Sequence, residues 1–540
     1  MRSWSSFPAC AWVLCSTLGA ISAPVYAAET PAPQASGETS SSTAEKFDVW
    51  EIQVEGNTLL SQVDVERPVY GFLGEAKTIE DMQAAQRALE DAYHNRGFGS
   101  VLVDIPEQDV GSGIVRLKVT EAKIAQTSVL GSRYFSLGRI RSKLPSLAPG
   151  SVPNLPKVQE EITALGQVTT DRVVTPVLKP SRTPGKLDVE LKVKDELPLH
   201  GNVSLNDRFS ADTTRTRINT SVRYDNLWQR EHSVGVSYQL SPQAPDEVEV
   251  FAGNYLWRFE DSPHLLSAYV VRSNSNVATV GTLGVLGTGT IGGLRYTIPL
   301  PALGTYYHSV SVGADYKDFE ESIGLQGNDT LQTPISYLMF LGSYSSSYFG
   351  EASASHFEIG FNLGPNGFGN TQKEFERKRF GAKPNFAYLR AHADNLIRLW
   401  FGTSLFSRLD GQVADSPLIS NEEFAGGGIN SVRGYLESER QADNVISGSF
   451  EFRSPDLKLI RWELLKHVGV FAFMDAADMH VRQGLPGTKA NALLWSSGLG
   501  LRFESIARIQ ASLVWAYALD NGDRTRAGDD RFHFDIGYEF

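Results

Sequence analysis

From about residue 197 to its end the chain is a succession of segments, each of about ten residues, in which apolar and polar or small side chains alternate. Val234, Val236, Tyr238 and Leu240 share one parity, as do Phe251, Gly253, Tyr255 and Trp257, and Phe357, Ile359, Phe361 and Leu363. The last segment carries Phe532, Phe534, Ile536, Tyr538 and Phe540 on one face. Successive side chains of a strand point to opposite sides, so each segment has one apolar and one polar face. About sixteen segments can be distinguished, and an even number is what a bacterial membrane barrel requires. They are separated alternately by short turns and long, unequal loops rich in Asp, Asn, Gly, Pro and Ser. A large soluble sandwich or propeller would share the alternation. The loop pattern, the aromatic final strand and the character of the N-terminus favour the barrel.

Residues 1–27 read as a secretory signal: Arg2 supplies the positive start, an apolar stretch runs from Phe7 to Ile21, and Val25-Tyr26-Ala27 offers a cleavage site before Ala28. Both cysteines, Cys10 and Cys15, fall inside it, so the mature chain is expected to have no disulfide framework. Trp12-Val13-Leu14 lacks the small residue expected before a lipidated cysteine. Beyond the N-terminus no run of 18 or more apolar residues occurs, which excludes a transmembrane helix there. Residues 28–45 are rich in Pro, Ser, Thr and Glu and read as a flexible tether.

Residues 46–121 and 122–195 read as two tandem α+β units. In the first, Trp50, Ile52 and Val54 alternate as a strand closed by Gly56-Asn57. Thr78 and Asp81 have the spacing of a capping box, and Met82, Ala85, Leu89 and Tyr93 fall on one helical face that Gly97 would end. Val101, Val103 and Ile105, then Val115, Leu117 and Val119, alternate as further strands. The second unit loosely repeats the order: a strand from Ile124 to Leu130 ended by Gly131, helices over Ser136–Leu144 and Pro156–Leu165, a strand over Val173–Leu178 confined to an edge by Pro176, and an alternating strand through Leu187, Val189, Leu191 and Val193.

The net charge of −12 argues against nucleic acid as a partner. The ten histidines are scattered, and no HExxH, Cys–His cluster, Walker loop or GxSxG elbow occurs, so neither an enzyme, a metal site nor a cofactor is expected. Gly287-Thr288-Gly289-Thr290-Ile291-Gly292 matches GxGxxG, but Leu294 to Leu300 continues as a strand, whereas a dinucleotide fingerprint opens a helix. Glu422-Glu423 reads as an ordinary loop pair without chemistry of its own.

The strongest local signal is Gly426-Gly427-Gly428-Ile429-Asn430-Ser431-Val432-Arg433-Gly434-Tyr435, in an extracellular loop expected between Gln412 and Asn444. About thirty residues is long for a loop, and long ordered loops are often functional. Val432-Arg433-Gly434-Tyr435 resembles the VRGY loop motif of the outer-membrane superfamily that includes the barrel-assembly insertase and the two-partner secretion transporters. A second motif of that superfamily, F-x-D-x-G on a barrel strand, is matched by Phe473-Met474-Asp475-Ala476-Ala477, with Ala477 in place of the last glycine. Phe386 to Arg390, Gln412, Pro417-Leu418, Phe424 and Glu451 to Pro455 resemble the two-partner secretion branch, as do Arg96-Gly97-Phe98 and Ile105 to Gln108.

The resemblance implies a mainly β chain: a sixteen-stranded transmembrane β-barrel over residues 196–540, preceded by two small α+β POTRA domains. It implies a monomer in the outer membrane with its POTRA domains in the periplasm. The partners it implies are membrane lipids, the barrel-assembly machinery, and an unfolded exoprotein of haemolysin or filamentous-adhesin type that the chain secretes. Insertion of other barrels is the alternative activity. It places Val432, Arg433, Gly434 and Tyr435 on a loop folded into the lumen, Phe473 and Asp475 on the strand that receives it, and Tyr538 and Phe540 in a C-terminal assembly signal. A plug helix, frequent in the family, is not evident in residues 28–45.

Overall fold

A computed structural model describes residues 46–540 except 212, 261, 276, 281–282, 321, 325–329, 369, 458–464, 485–486 and 488; the expected signal and tether, residues 1–45, lie outside the described residues. The described residues up to Pro198 form one compact unit and Leu199–Phe540 another.

The alternating segments pair as neighbours, all antiparallel, into a closed barrel of sixteen strands that begins with Leu199–Asn206 and returns to it with Asp530–Glu539. The apolar parity faces outward: Val236, Phe251, Trp257, Phe357, Ile359, Phe361 and Leu363 are exposed on the outer surface. Connections at one end are short, as between Leu227 and His232 or Phe349 and Ser353, and those at the other reach from Gly364 to Phe386 and from Ala414 to Asn444. The GxGxxG segment leads into the strand Gly289–Pro299.

In the N-terminal unit the chain makes the same small sheet twice. Glu51–Glu55 runs parallel to Ile114–Glu121, which pairs antiparallel with Val101–Asp104. Lys123–Leu130 runs parallel to Lys186–Asp195, which pairs antiparallel with Arg172–Pro180, leaving Pro176 on an edge strand. Helices Gln62–Val69 and Ile79–Asn95 cover the first sheet, and Leu137–Ser142 and Leu155–Val168 the second. One glycine marks the repeat: Gly56 and Gly131, both at φ +90°, end the first strand of each sheet. A Cβ on either would collide with the carbonyl oxygen of its central strand, Val119 or Val193. Thr78 and Asp81 form the capping box, and the helix buries Met82, Ala85, Leu89 and Tyr93.

Trp50 departs from the expected alternation. The chain breaks there between Phe47–Val49, which pairs with Gly74–Lys77, and Glu51–Glu55, which joins the main sheet. Val49 is therefore the buried residue, and Trp50 stays exposed over Gly113, where a side chain would meet its ring.

Candidate functional site

Gly426-Gly427-Gly428 opens a short hairpin in which Phe424–Gly426 pairs with Arg440–Ala442. Gly427 and Gly428 both have positive φ, and a Cβ on either would strike Glu439 or Glu437. The tip folds inward, because Val432, Tyr435 and Ala442 are packed with Val445, Ala477, Met479, Leu494 and Ala518, inward-facing residues of the barrel wall. Ala477, the departure from the F-x-D-x-G pattern, is fully buried in that cluster, so its methyl group fills space beside the loop.

Arg433 lies at the tip and is 4% exposed, and Asp475 is fully buried. Side chains two apart on a strand share a face, so Phe473 and Asp475 both point inward from the strand Leu465–His480. Arg433 donates Nε to Asp475 Oδ2 at 2.7 Å and Nη2 to Asp475 Oδ1 at 2.6 Å, a bidentate pair, and its backbone amide adds a bond of 3.0 Å to Oδ2. Its guanidinium also stacks over Phe473 at 3.6 Å from the ring centre, a favourable cation–π arrangement.

Further contacts come from residues that the motifs do not mark. Nη1 of Arg433 donates to Glu451 Oε1 at 2.6 Å and Nη2 to Ser449 Oγ at 2.9 Å, both from the strand Asn444–Arg453. Glu451 is a hub: Arg453 donates to its Oε2 at 2.7 Å and Arg502 at 3.0 Å. These arginines lie over Phe406 and Phe471 respectively. Glu451 and Arg453 lie in the segment that resembles the two-partner secretion branch, but only parity pointed to a hub, since Ser449, Glu451 and Arg453 share the inward face of one strand.

Gly434, at φ +92°, brings the backbone to the wall, with a would-be Cβ 3.4 Å from Ala516 Cβ. Tyr435 wedges beyond it. Its hydroxyl lies 2.8 Å from the Asp520 carbonyl and 3.0 Å from that of Trp495, and accepts from the Trp495 amide at 3.2 Å. Glu439 accepts from the amides of Arg524 and Thr525, and the Glu437 amide donates to the Phe209 carbonyl.

The base of the loop is also ordered. Gln412 belongs to the strand Ser404–Ala414 and donates inward to the carbonyls of Glu422 and Asp443, so the loop begins after Ala414. Glu422 and Glu423 are buried, against the expectation of an ordinary loop pair. Glu422 accepts from Lys317, Tyr337 and Tyr388, and Glu423 from Arg379. A carboxylate drawn out of water must find such partners, which the barrel wall supplies to Glu422 and the connection after Gly364 supplies to Glu423.

Tyr538 and Phe540 lie on the outer face, stacked with ring centres 6.1 Å apart. They take no part in the loop site.

A closed sixteen-stranded barrel, an arginine-tipped loop folded inside it and a small α+β sheet made twice define a POTRA-bearing outer-membrane barrel. A ShlB-type POTRA domain is matched at residues 47–122. Residues 185–503, more than half of the chain, match the haemolysin secretion/activation protein ShlB/FhaC/HecB, and the chain belongs to this family. It is accordingly a protein of the outer membrane with POTRA domains in the periplasm, and its long barrel loops face outward from the cell.

The outer membrane transporter CdiB of Dickeya dadantii (strain 3937) is 23% identical over 182 residues, 34% of this chain and 32% of the relative. CdiB of Escherichia coli O6:K15:H31 (strain 536 / UPEC) is 24% identical over 197 residues, 36% of this chain and 32% of the relative. The chain thus aligns with about a third of the length of these curated relatives. The structure of CdiB from Escherichia coli matches with a TM-score of 0.64 at 18% identity, covering 94% of this chain and 93% of that chain. BamA from Haemophilus ducreyi lacking POTRA domains 1–3 matches at 0.55 and 14% identity, covering 92% and 100%. These two share its fold.

Proposed function

We propose that the protein exports a large exoprotein of adhesin or haemolysin type through its barrel. The observation that carries this reading is that a polar loop held by Arg433, and not only a continuous apolar core, occupies the barrel interior. Polar contacts of this kind can be exchanged for water and a passing chain. The exoprotein would arrive unfolded in the periplasm. The edge strands Glu51–Glu55, Val101–Asp104, Lys123–Leu130 and Arg172–Pro180 offer backbone groups to which an extended segment adds as a further strand. Folding outside the cell would make transport one-way, so the reading needs no nucleotide, metal or catalytic step. In this reading the protein works as a monomer, contacts lipid through its apolar outer wall, binds no nucleic acid, and is inserted by the barrel-assembly machinery through the strand ending at Tyr538 and Phe540.

The test is co-expression with a large β-helical exoprotein encoded beside it. Deleting residues 46–121 should abolish secretion while heat-modifiable barrel remains. Secretion that survives the deletion would mean that the barrel selects its cargo alone. Insertion of other barrels is a second reading, favoured by the fold shared with BamA. Loss of unrelated outer-membrane proteins on depletion, with the exoprotein still secreted, would favour it.

A further inference from the structure

The loop that carries Arg433 is tied at its tip to the barrel wall, but its base is tied to other loops. The connection between Gly364 and Phe386 contains the helix Gln372–Lys378, opened by a capping box of Thr371 and Glu374. Phe375 on that helix is fully buried in an apolar cluster with Tyr337, Phe386, Leu418 and Ile419, so this connection is packed into the mouth against residues 415–423. Arg379 follows the helix directly. Its Nη1 donates to Asp443 Oδ1 at 2.8 Å and its Nη2 to Asp443 Oδ2 at 2.6 Å, and it bonds further to Glu423 and to the carbonyls of Leu418 and Arg482.

Asp443 is fully buried and also accepts from the amides of Leu418 and Arg482, each at 2.7 Å. One ion pair therefore gathers residues from three connections at the extracellular mouth: Arg379 from the first, Leu418 and Asp443 from the second, and Arg482 from the third. The Arg433 pair fastens a loop to strands. The Arg379 pair fastens loop to loop, and can part without disturbing a single barrel hydrogen bond.

We propose that Arg379 and Asp443 form a second latch, which closes the extracellular mouth and has to release before the lumen opens. Arg379 is then a gating residue distinct from the Arg433 site. The guanidinium suits the task because its planar fork satisfies a carboxylate and several carbonyls at once, which a lysine cannot do. Removing Arg379 leaves Asp443 and Glu423 buried without their counterion, and removing Asp443 leaves Arg379 with Glu423 alone, so either change weakens the closed mouth in favour of the open, hydrated state. The proposal deepens the export reading and shares with it the premise that the lumen opens.

The test uses the purified full-length protein in planar lipid bilayers with no exoprotein present, so its outcome does not depend on the identity of the cargo. Arg379→Ala and Asp443→Asn should each raise the open probability on the order of tenfold or more, with Arg379→Lys between them and the wild type. Cells carrying Arg379→Ala should admit vancomycin, and heat-modifiable mobility reports that the barrel has assembled. If Arg379→Ala fails to assemble, Arg379→Lys and Asp443→Asn decide the matter. Assembled variants that conduct as the wild type would overturn the latch. A wild type that secretes no exoprotein would overturn the export reading and leave the conductance result standing.

Discussion

The backbones of Phe540 and Gly201 exchange two hydrogen bonds of 3.0 Å, and the Phe540 ring fills the space that a Gly201 side chain would take. The pair extends the seam whose register runs from Asp535 opposite Asn206 to Glu539 opposite Asn202. Deleting Phe540 removes both bonds and the ring, and should lower the yield of heat-modifiable barrel. Gly201→Leu should do the same through collision with the ring. Normal assembly of both variants would reduce Phe540 to a packing residue.

Arg433→Ala and Asp475→Ala should each reduce secretion more than assembly. Arg433→Ala leaves the buried Asp475 without its counterion, at a cost of about 3–5 kcal/mol, whereas Asp475→Ala costs less because Arg433 keeps Glu451. Exchanging the two, Arg433→Asp with Asp475→Arg, should not restore export: the new aspartate would face Glu451, which now bonds Arg433 at 2.6 Å. Secretion assays beside heat-modifiability check all three. Full secretion by both alanine variants would show that the pair does not hold the loop.

Tyr435→Phe should loosen the tip while keeping its packing. The ring stays in the cluster of Val432, Ala477 and Leu494, but the hydroxyl bonds to the backbones of Trp495 and Asp520 are lost. A net cost of about 1–2 kcal/mol is expected. It should appear as a lower heat-modification temperature and more frequent channel openings, and an unchanged temperature would count against the hydroxyl.

Asp195 gives the N-terminal unit a pH dependence. Burial pushes its carboxyl up, but the amides of Tyr134 and Arg133, each at 2.8 Å, and the Ser132 hydroxyl outweigh this and hold it below the usual carboxylate range. A depressed acid stabilises the fold above its unfolded value of about 4 and loses that contribution as pH falls through its folded value. Thermal melts of a fragment spanning 46–198 should therefore weaken toward pH 3. Asp195→Asn should lower stability at pH 7 by about 1–2 kcal/mol and flatten the acid limb. An unaltered acid limb would refute the assignment.

Much of this fold was legible from local pattern. Period-two alternation gave the sixteen strands, since a barrel wall has to be apolar on one side only. Thr78 and Asp81 announced the helix at Ile79 because caps are local chemistry. Trp50 was misplaced because a strand that changes sheets keeps its alternation but loses its phase. Around the loop, Arg433 and Asp475 stood out as motif residues and Glu451 as part of a segment resembling the two-partner secretion branch, but nothing marked Glu451, Arg379, Asp443 or Glu422 as members of buried ion pairs. Arg433 is 18 residues from Glu451, Arg379 is 64 from Asp443 and Lys317 is 105 from Glu422, and nothing in a linear sequence marks which inward charges meet.

The tip of the loop has a bearing on the order of assembly. Its contacts to Ser449, Glu451, Asp475, Trp495 and Asp520 all lie within 85 residues downstream, while the seam joins Phe540 to Gly201 across the whole barrel. Near contacts form with a smaller loss of chain entropy than distant ones. The C-terminal hairpins can therefore gather around Arg433 as a nascent half-barrel before the N-terminal strands arrive, so the loop that later obstructs the pore would first serve as the template on which its wall is laid.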